Sequence, residues 1–313
     1  MKTINLQHPH GLNRDELQNT VAALGYFDGV HLGHQKVIQT AKAIADENKW
    51  QSAVMTFHPH PAVVLGKADR IPAITPLAEK EKAINKLGID LLYVVRFDEA
   101  FSRLSPQQFI EDYIVELSIK HVVAGFDYTY GRFGKGTMAT MQTDARGRFD
   151  VTTVEKVEKD NEKISSTLIR SMIGSGEVEK LPQYLGRYYE MSGTVITGEK
   201  RGRTIGFPTA NLSVSSEYVF PKKGVYAVKV KYENRSYNGV LNIGYKPTFH
   251  DHLPEPSIEV HILDFDQEIY GERLVIEWRK RLRDEKKFNS AEELIEQIKK
   301  DKREAEAYFQ FAI

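Results

Sequence analysis

The apolar residues of this chain repeat with two different periods, and the change between them falls near residue 185. Up to that point short apolar runs alternate with helical stripes. "VAALGYF" (21–27), "QSAVMTF" (51–57), "DLLYVVRF" (90–97) and "KHVVAGF" (120–126) read as buried strands. Between them, Val37, Ile38, Ala41, Ile44 and Ala45 recur at helical spacing, 76–87 reads as a helix, and "SPQQFIEDYIVEL" (105–117) opens with a serine cap and a first-turn proline. Strands that alternate with helices predict a doubly wound α/β domain with a parallel sheet covered on both faces. After about residue 185 the period is two. In "VYAVKVKY" (225–232) Tyr226, Val228, Val230 and Tyr232 share a face, and in "SIEVHIL" (257–263) Ile258, Val260 and Ile262 oppose Glu259 and His261. Short strands of this kind, punctuated by glycine and proline, predict an antiparallel β-barrel. A terminal helix follows, with Ser290 and Glu293 in capping-box spacing. The expected domains are 1–184 and 185–313.

Composition narrows the chemistry. The 313 residues carry 43 Lys plus Arg against 43 Asp plus Glu, so no overall field favours nucleic acid or a membrane surface. With no cysteine, disulfides, thiolate nucleophiles and cysteine-ligated metals are excluded. No apolar run has the length of a membrane span, and the N-terminus lacks the apolar centre of a signal peptide, so a cytoplasmic protein is expected.

In a doubly wound sheet, ligands collect at the carboxyl ends of the strands. "GYFDGVHLGHQ" (25–35), "HPHP" (58–61) and "DYTYGRFGKG" (127–136) each follow a strand and so converge on one rim. A helix starting near Gly33 presents unpaired N–H groups and a positive dipole end to an anion. His31 and His34 flank that turn as hydrogen-bond donors, Gly29 and Gly33 let the backbone come close, and Asp28 could orient a histidine or a ligand. A metal pair and a packing pair are the alternatives for the two histidines. In "GEKRGRTIGFPTANL" (198–212), Lys200, Arg201 and Arg203 read equally as a solvated turn. Thr209 and Asn211, two apart on an extended segment, place two neutral oxygens on one side, which with phosphates suits Mg²⁺.

GYFDGVHLGH resembles the HxGH signature of the nucleotidyltransferase superfamily, and "KISSTLIR" (163–170) its ISSTxIR segment. "GFDYTYGRFGKG" is similar to the loop of the flavin branch, PTAN is the distinguishing motif of riboflavin kinases, and "GVYAV", "NIGYKPTF" and "IEVHILDFDQEIYG" follow in that family's order. Over essentially its whole length the chain resembles the bacterial bifunctional riboflavin kinase/FAD synthetase family. That resemblance implies an enzyme with ATP as co-substrate, riboflavin, FMN and FAD as substrates and products, and Mg²⁺. It implies that Gly25, Phe27, Asp28, Gly29, His31, Gly33 and His34 meet the ATP phosphates on one side, and Ser165, Ser166, Thr167 and Arg170 on the other. His58, Asp127 and Tyr128 would lie near the flavin, with His58 positioning it. In the kinase half, Gly198, Lys200, Arg201, Gly202, Arg203, Gly206 and Pro208 would form the loop that covers ATP, Thr209 and Asn211 would hold the metal, and Glu259 would take the proton of the riboflavin 5′-hydroxyl. Tyr245-Lys246 departs from the family's usual Thr-Arg. Small molecules are the partners implied; flavoprotein clients cannot be read from the residues.

Overall fold

The computed structural model describes residues 1–198, 202, 205–245 and 256–311. By its contacts the chain divides into two compact units, Met1–Ser166 and Thr167–Ile313.

The first unit is built on six parallel strands: β1 (Lys2–Leu6), β2 (Thr20–Leu24), β3 (Gln51–His58), β4 (Leu91–Arg96), β5 (Ile119–Gly125) and β6 (Asp150–Val154). Their order across the sheet is β1-β4-β3-β2-β5-β6. The chain runs outward from β2 in both directions, so the strand order reverses between β2 and β5, and a crevice opens at their carboxyl ends. Alternation along β2 supplies both faces. Ala22 and Leu24 join a core with Met55, Phe101, Phe109 and Tyr113, whereas Val21 and Ala23 pack with Ile38, Val54 and Leu92. The helices that cover these faces include α1 (Leu32–Asn48) and α2 (Leu77–Asn85). A third, α3 (Pro106–Ile110), carries the expected serine cap as a capping box with Gln108 and then widens into a π turn over Glu111–Val115.

In the second unit, α4 (Ser166–Ser175) precedes the strands β7 (Tyr189–Ile196), β8 (Ala210–Val214), β9 (Gly224–Tyr232), β10 (Arg235–Tyr245), β11 (Pro256–Ile262) and β12 (Arg273–Arg283). They close an antiparallel barrel in the order β7-β8-β11-β10-β9-β12. The paired residues Val195, Leu212, Ile258 and Ile243 form a row inside it and are all buried. One residue along, the row Asn211, Glu259, Asn242, Val225 and Arg283 therefore lies on the outer surface. The terminal helix α5 (Ala291–Phe311) packs on this outer surface against β9, β10 and β12. Its cap differs by one residue from the expected box. The Glu293 amide donates to Ser290 Oγ, but the Glu293 carboxylate accepts from Asn289 N–H. Arg283 at the end of β12 donates from Nε and Nη2 to the Asp301 carboxylate on α5 at 2.8 to 3.1 Å.

Candidate functional site

A cavity of about 490 Å³ lies at the rim of the first unit, and its wall includes Gly25, Phe27, His31, Gly33 and His34. His31 is the N-cap of α1, and its Nδ1 accepts the His34 amide N–H at 3.2 Å. An acceptor Nδ1 puts the proton of the neutral ring on Nε2. The two imidazoles stack with centroids 3.5 Å apart and planes 17° apart. Gly33 makes this possible, since a Cβ there would stand 3.1 Å from the His31 ring. Burial, then the positive surroundings of His31, Lys80 and Lys163, hold His34 well below the ordinary histidine range. A stacked pair, with His31 buried and His34 half-buried and held neutral, is a poor chelate and a good pair of donors to phosphate. Among the described residues no group of three or more His, Cys, Asp or Glu is placed to hold a metal.

The second wall of this cavity includes Lys163, Ser165 and Ser166. Ser166 Oγ donates to the Asp28 carbonyl at 2.9 Å and so ties the ISST segment to the histidine turn. Asp28 itself faces inward. It is 2% exposed, and its carboxylate accepts the amides of Ile74 and Thr75. Gly29 takes φ +86° beside Ile74, so here the need for glycine comes from the turn and from a protein neighbour. Thr167 and Arg170 fall on α4, in the second unit, and are not lining residues.

The opposite end of the cavity is aromatic, with Phe57, Phe97, Phe101 and Phe109 in its wall. Asp127 and Tyr128 border it. Asp127 pairs with Lys163 at 2.5 Å, and burial pushes the Tyr128 phenol above its ordinary range. His58 ends β3 exposed and lies outside the wall, which Pro61 joins instead. The neighbouring His60 is a cap: its Nδ1 accepts the Ala62 amide, and its ring meets Tyr26 edge-on. Sequence reasoning missed Lys163 and the aromatic end. The lysine stands inside the quoted motif, whereas the phenylalanines come from four separate stretches of chain that only the fold brings together.

In the second unit a cavity of about 340 Å³ lies between the outer barrel face and α5. Thr209, Asn242, Glu259 and Arg283 contribute on the barrel side, and Leu294, Ile298 and Asp301 on the helix side. Asn211 and Asn242 flank Glu259 as its cross-strand neighbours. His261, two residues on, donates from Nδ1 to the Pro208 carbonyl at 2.7 Å and so fixes the PTAN segment. A smaller cavity of about 220 Å³ adjoins Pro208, Val195 and Tyr270, and Thr209 lines this one as well. Gly198 lies against the Asn211 amide, where a Cβ would come within 2.1 Å of Nδ2 and 2.8 Å of Oδ1. Gly202 accepts the Phe207 amide through its carbonyl, and Gly206 turns with φ +84°. Lys200, Arg201, Arg203 and Lys246 lie outside the described residues. Asn242 and the helix residues were not predicted as site residues, although Leu294 and Ile298 read as part of the apolar side of the terminal helix. They belong to a polar strand face and to an amphipathic helix, which look solvated until the two are packed together.

The hydroxyl of Thr209 and the amide oxygen of Asn211 are neutral, hard donors. With Asn211 held against Gly198, this donor set fits a small oxygen-seeking cation whose remaining ligands are phosphate and water.

Comparison with known proteins agrees with both halves. A family model described as FAD synthetase matches residues 13–168, and one described as riboflavin kinase matches 185–309. A bifunctional riboflavin kinase/FMN adenylyltransferase of Bacillus subtilis is 56% identical over 99% of this chain and 98% of its own. One from Listeria monocytogenes is 52% identical over the same shares. A solved structure described as a macrolide-efflux protein from Streptococcus pneumoniae is 36% identical, covers 97% of this chain and 98% of its own, and superposes with a TM-score of 0.88. No helix among the described residues is long and apolar enough to cross a membrane. With two family models in tandem and relatives aligned over nearly their full length, the chain belongs to the bifunctional riboflavin kinase/FMN adenylyltransferase family.

Proposed function

We propose that the chain makes FMN from riboflavin in its barrel unit and FAD from FMN in its parallel-sheet unit, using one ATP for each step in the cytoplasm. The observation that carries this reading is that each unit has its own cavity, with His31 and His34 in the wall of one and Thr209 and Glu259 in the wall of the other. In sequence the activities divide as 1–184 for adenylyl transfer and 185–313 for the kinase, although 167–184 packs with the second unit.

In the kinase, Glu259 lines the larger cavity and Thr209 lines both. Riboflavin occupies the larger one with its ring toward Leu294 and Ile298, ATP occupies the smaller, and the two meet at Thr209. Glu259 accepts the proton of the 5′-hydroxyl as that oxygen bonds to the γ-phosphorus. The bond from the γ-phosphorus to the β–γ bridging oxygen breaks, and ADP leaves with it. Thr209 and Asn211 would hold Mg²⁺, which when bound offsets phosphate charge. Such transfers depend mainly on positioning and on stabilising that charge.

In the adenylyltransferase the flavin ring takes the aromatic end, and the phosphates take the end walled by His31, His34, Lys163, Ser165 and Ser166. An FMN phosphate oxygen bonds to the α-phosphorus of ATP as the bond to the α–β bridging oxygen breaks, releasing pyrophosphate. The attacking phosphate is already anionic, so the site needs donors rather than a base. Neutral His34 and Nε2-protonated His31 meet that need.

The test is product analysis with the full chain. Riboflavin, ATP and Mg²⁺ should yield FMN and then FAD, and supplied FMN should yield FAD with pyrophosphate. FMN without any FAD would remove the second activity, and flavin binding without either product would make the chain a binding protein.

A further inference from the structure

A buried lysine stands behind the wall of the first cavity, and none of the chemistry above uses it. Lys80 on α2 is 3% exposed, and among the described residues no other lysine or arginine is buried. Its Nζ donates to the Tyr26 carbonyl at 2.7 Å and to Thr56 Oγ1 at 3.3 Å, and it lies 4.2 Å from the centre of the Tyr26 ring. Thr56 Oγ1 donates to the same carbonyl at 2.8 Å. Among the described residues no carboxylate forms an ion pair with the ammonium. Asp28, the acid that faces it, gives its two oxygens to the amides of Ile74 and Thr75.

These contacts clasp the turn that carries the HxGH motif to the stretch 74–80 at two points. The carbonyl of Tyr26 is held by Lys80, and the carboxylate of Asp28 is held by the backbone just ahead of α2. The turn so held is strained: Phe27, between the two points, has φ +53°, and Val30, two residues past Asp28, has φ +42°. Non-glycine residues persist in that region only where their surroundings over-determine them. Tyr26 and Phe27 line the cavity, so a charge bonded behind Tyr26 lies close to whatever occupies it. A buried ammonium is weakly screened and costly to maintain, and a merely structural contact is served as well by an apolar side chain.

We propose that Lys80 is a positioning residue for adenylyl transfer, fixing the strained 25–30 turn and setting a positive charge behind the wall that receives the ATP phosphates. The inference rests on the reading of this cavity as the FMN and ATP site. The groups facing Lys80 are Tyr26 and Asp28 from the turn, Thr56 from β3 and His34 from α1, whose ring is pushed toward neutrality by the same charge. Burial brings the ammonium down to about 8, so the free enzyme loses this charge in mildly alkaline solution. Bound triphosphate favours the charged form, so the loss is displaced to higher pH in the loaded enzyme. The dependence of kcat/KM reports the free enzyme and that of kcat the loaded one.

The experiment uses the full chain and measures FAD from supplied FMN, FMN from riboflavin, and thermal unfolding. For wild type, kcat/KM for ATP should fall above about pH 8, with the corresponding limb of kcat at higher pH. Lys80→Met should lower kcat/KM for ATP by roughly 30- to 100-fold at pH 7 and abolish the alkaline limb. KM for FMN should stay within about threefold and the kinase rate within about twofold, with no fall in Tm. Lys80→Arg keeps the charge and should move the limb beyond about pH 10. If Lys80→Met does not fold, the wild-type and Lys80→Arg profiles decide. A wild-type profile flat to pH 10, a limb unmoved in either variant, or a Lys80→Met protein of wild-type efficiency would overturn the proposal. A lowered Tm with an unchanged profile would also overturn it, by reducing Lys80 to a structural contact. Wild-type protein that makes no FAD at any pH would instead overturn the reading of the cavity itself.

Discussion

His31 and His34 show how a short motif sets protonation as well as position. The cap bond to the His34 amide fixes the His31 tautomer, and burial, with Phe27 edge-on to the ring and the charge of Lys80 nearby, keeps His34 neutral. The unfolded chain titrates at the ordinary histidine value, near 6.5, whereas the folded one resists the proton. Stability is therefore full above pH 6.5 and is lost as pH falls below it, with a limiting slope of about 1.4 kcal/mol per pH unit. Urea unfolding of the His34→Gln variant between pH 7.5 and 5.5 should show this acid sensitivity reduced, and an unchanged slope would contradict the burial argument. Gly33→Ala puts a methyl against the His31 ring, 3.1 Å away before relaxation. It should lower FAD formation by roughly tenfold or more while FMN formation from riboflavin is unaffected. At this scale the sequence was informative where a motif carries its own geometry. The glycines and histidines of this stretch already implied a helix starting near Gly33 at the sheet rim, where the helix indeed begins, at Leu32. Lys80 was not legible, because a lysine within "LAEKEKAIN" looks like part of a solvated helix face. Only the packing of α2 turns it toward Tyr26.

Within the parallel sheet, the strands read as apolar runs are those buried on both sides. β2, with all five residues buried, and β3 gave continuous apolar runs. β1 and β6 share the burial pattern exposed, intermediate, intermediate, exposed, buried, and such edge strands give no apolar run to detect. The stretch 105–117 was legible as one helix, but it widens into a π turn after Ile110, a backbone change without a hydrophobic signature. The larger cavity of the barrel unit posed the reverse difficulty. Its wall is the outer, polar face of the barrel, and α5 makes it a site. Arg283 and Asp301 form the charged link between the two, with the Asp301 side chain 4% and the Arg283 side chain 22% exposed. Asp301→Asn removes the charge but keeps the shape. It should cost about 2 kcal/mol in chemical unfolding and raise KM for riboflavin severalfold, with adenylyl transfer unaltered. An unchanged KM would mean that α5 does not need this link to cover the cavity.

At the scale of the whole molecule, the proposed function gives each reaction residues of a different unit. Glu259 sits on the barrel, whereas His31 and His34 cap a helix beside the parallel sheet. The change of hydrophobic period near residue 185 made this division visible in the sequence, although by contact it falls earlier, after Ser166. The stretch between carries two structural loyalties: Ser165 and Ser166 line the first cavity, while Ile173 accepts a backbone bond from Lys222 in the barrel unit. No apolar period marks such a change of allegiance, since α4 presents one ordinary buried stripe of Ile169, Met172 and Ile173. The most direct test of the division is a paired assay on two full-length variants. Glu259→Gln should lower FMN formation from riboflavin by roughly 100-fold or more and leave FAD formation from supplied FMN within about twofold, and His31→Ala/His34→Ala should do the opposite. Loss of both reactions in either variant, or loss of the kinase in the histidine variant alone, would contradict the assignment of one reaction to each unit.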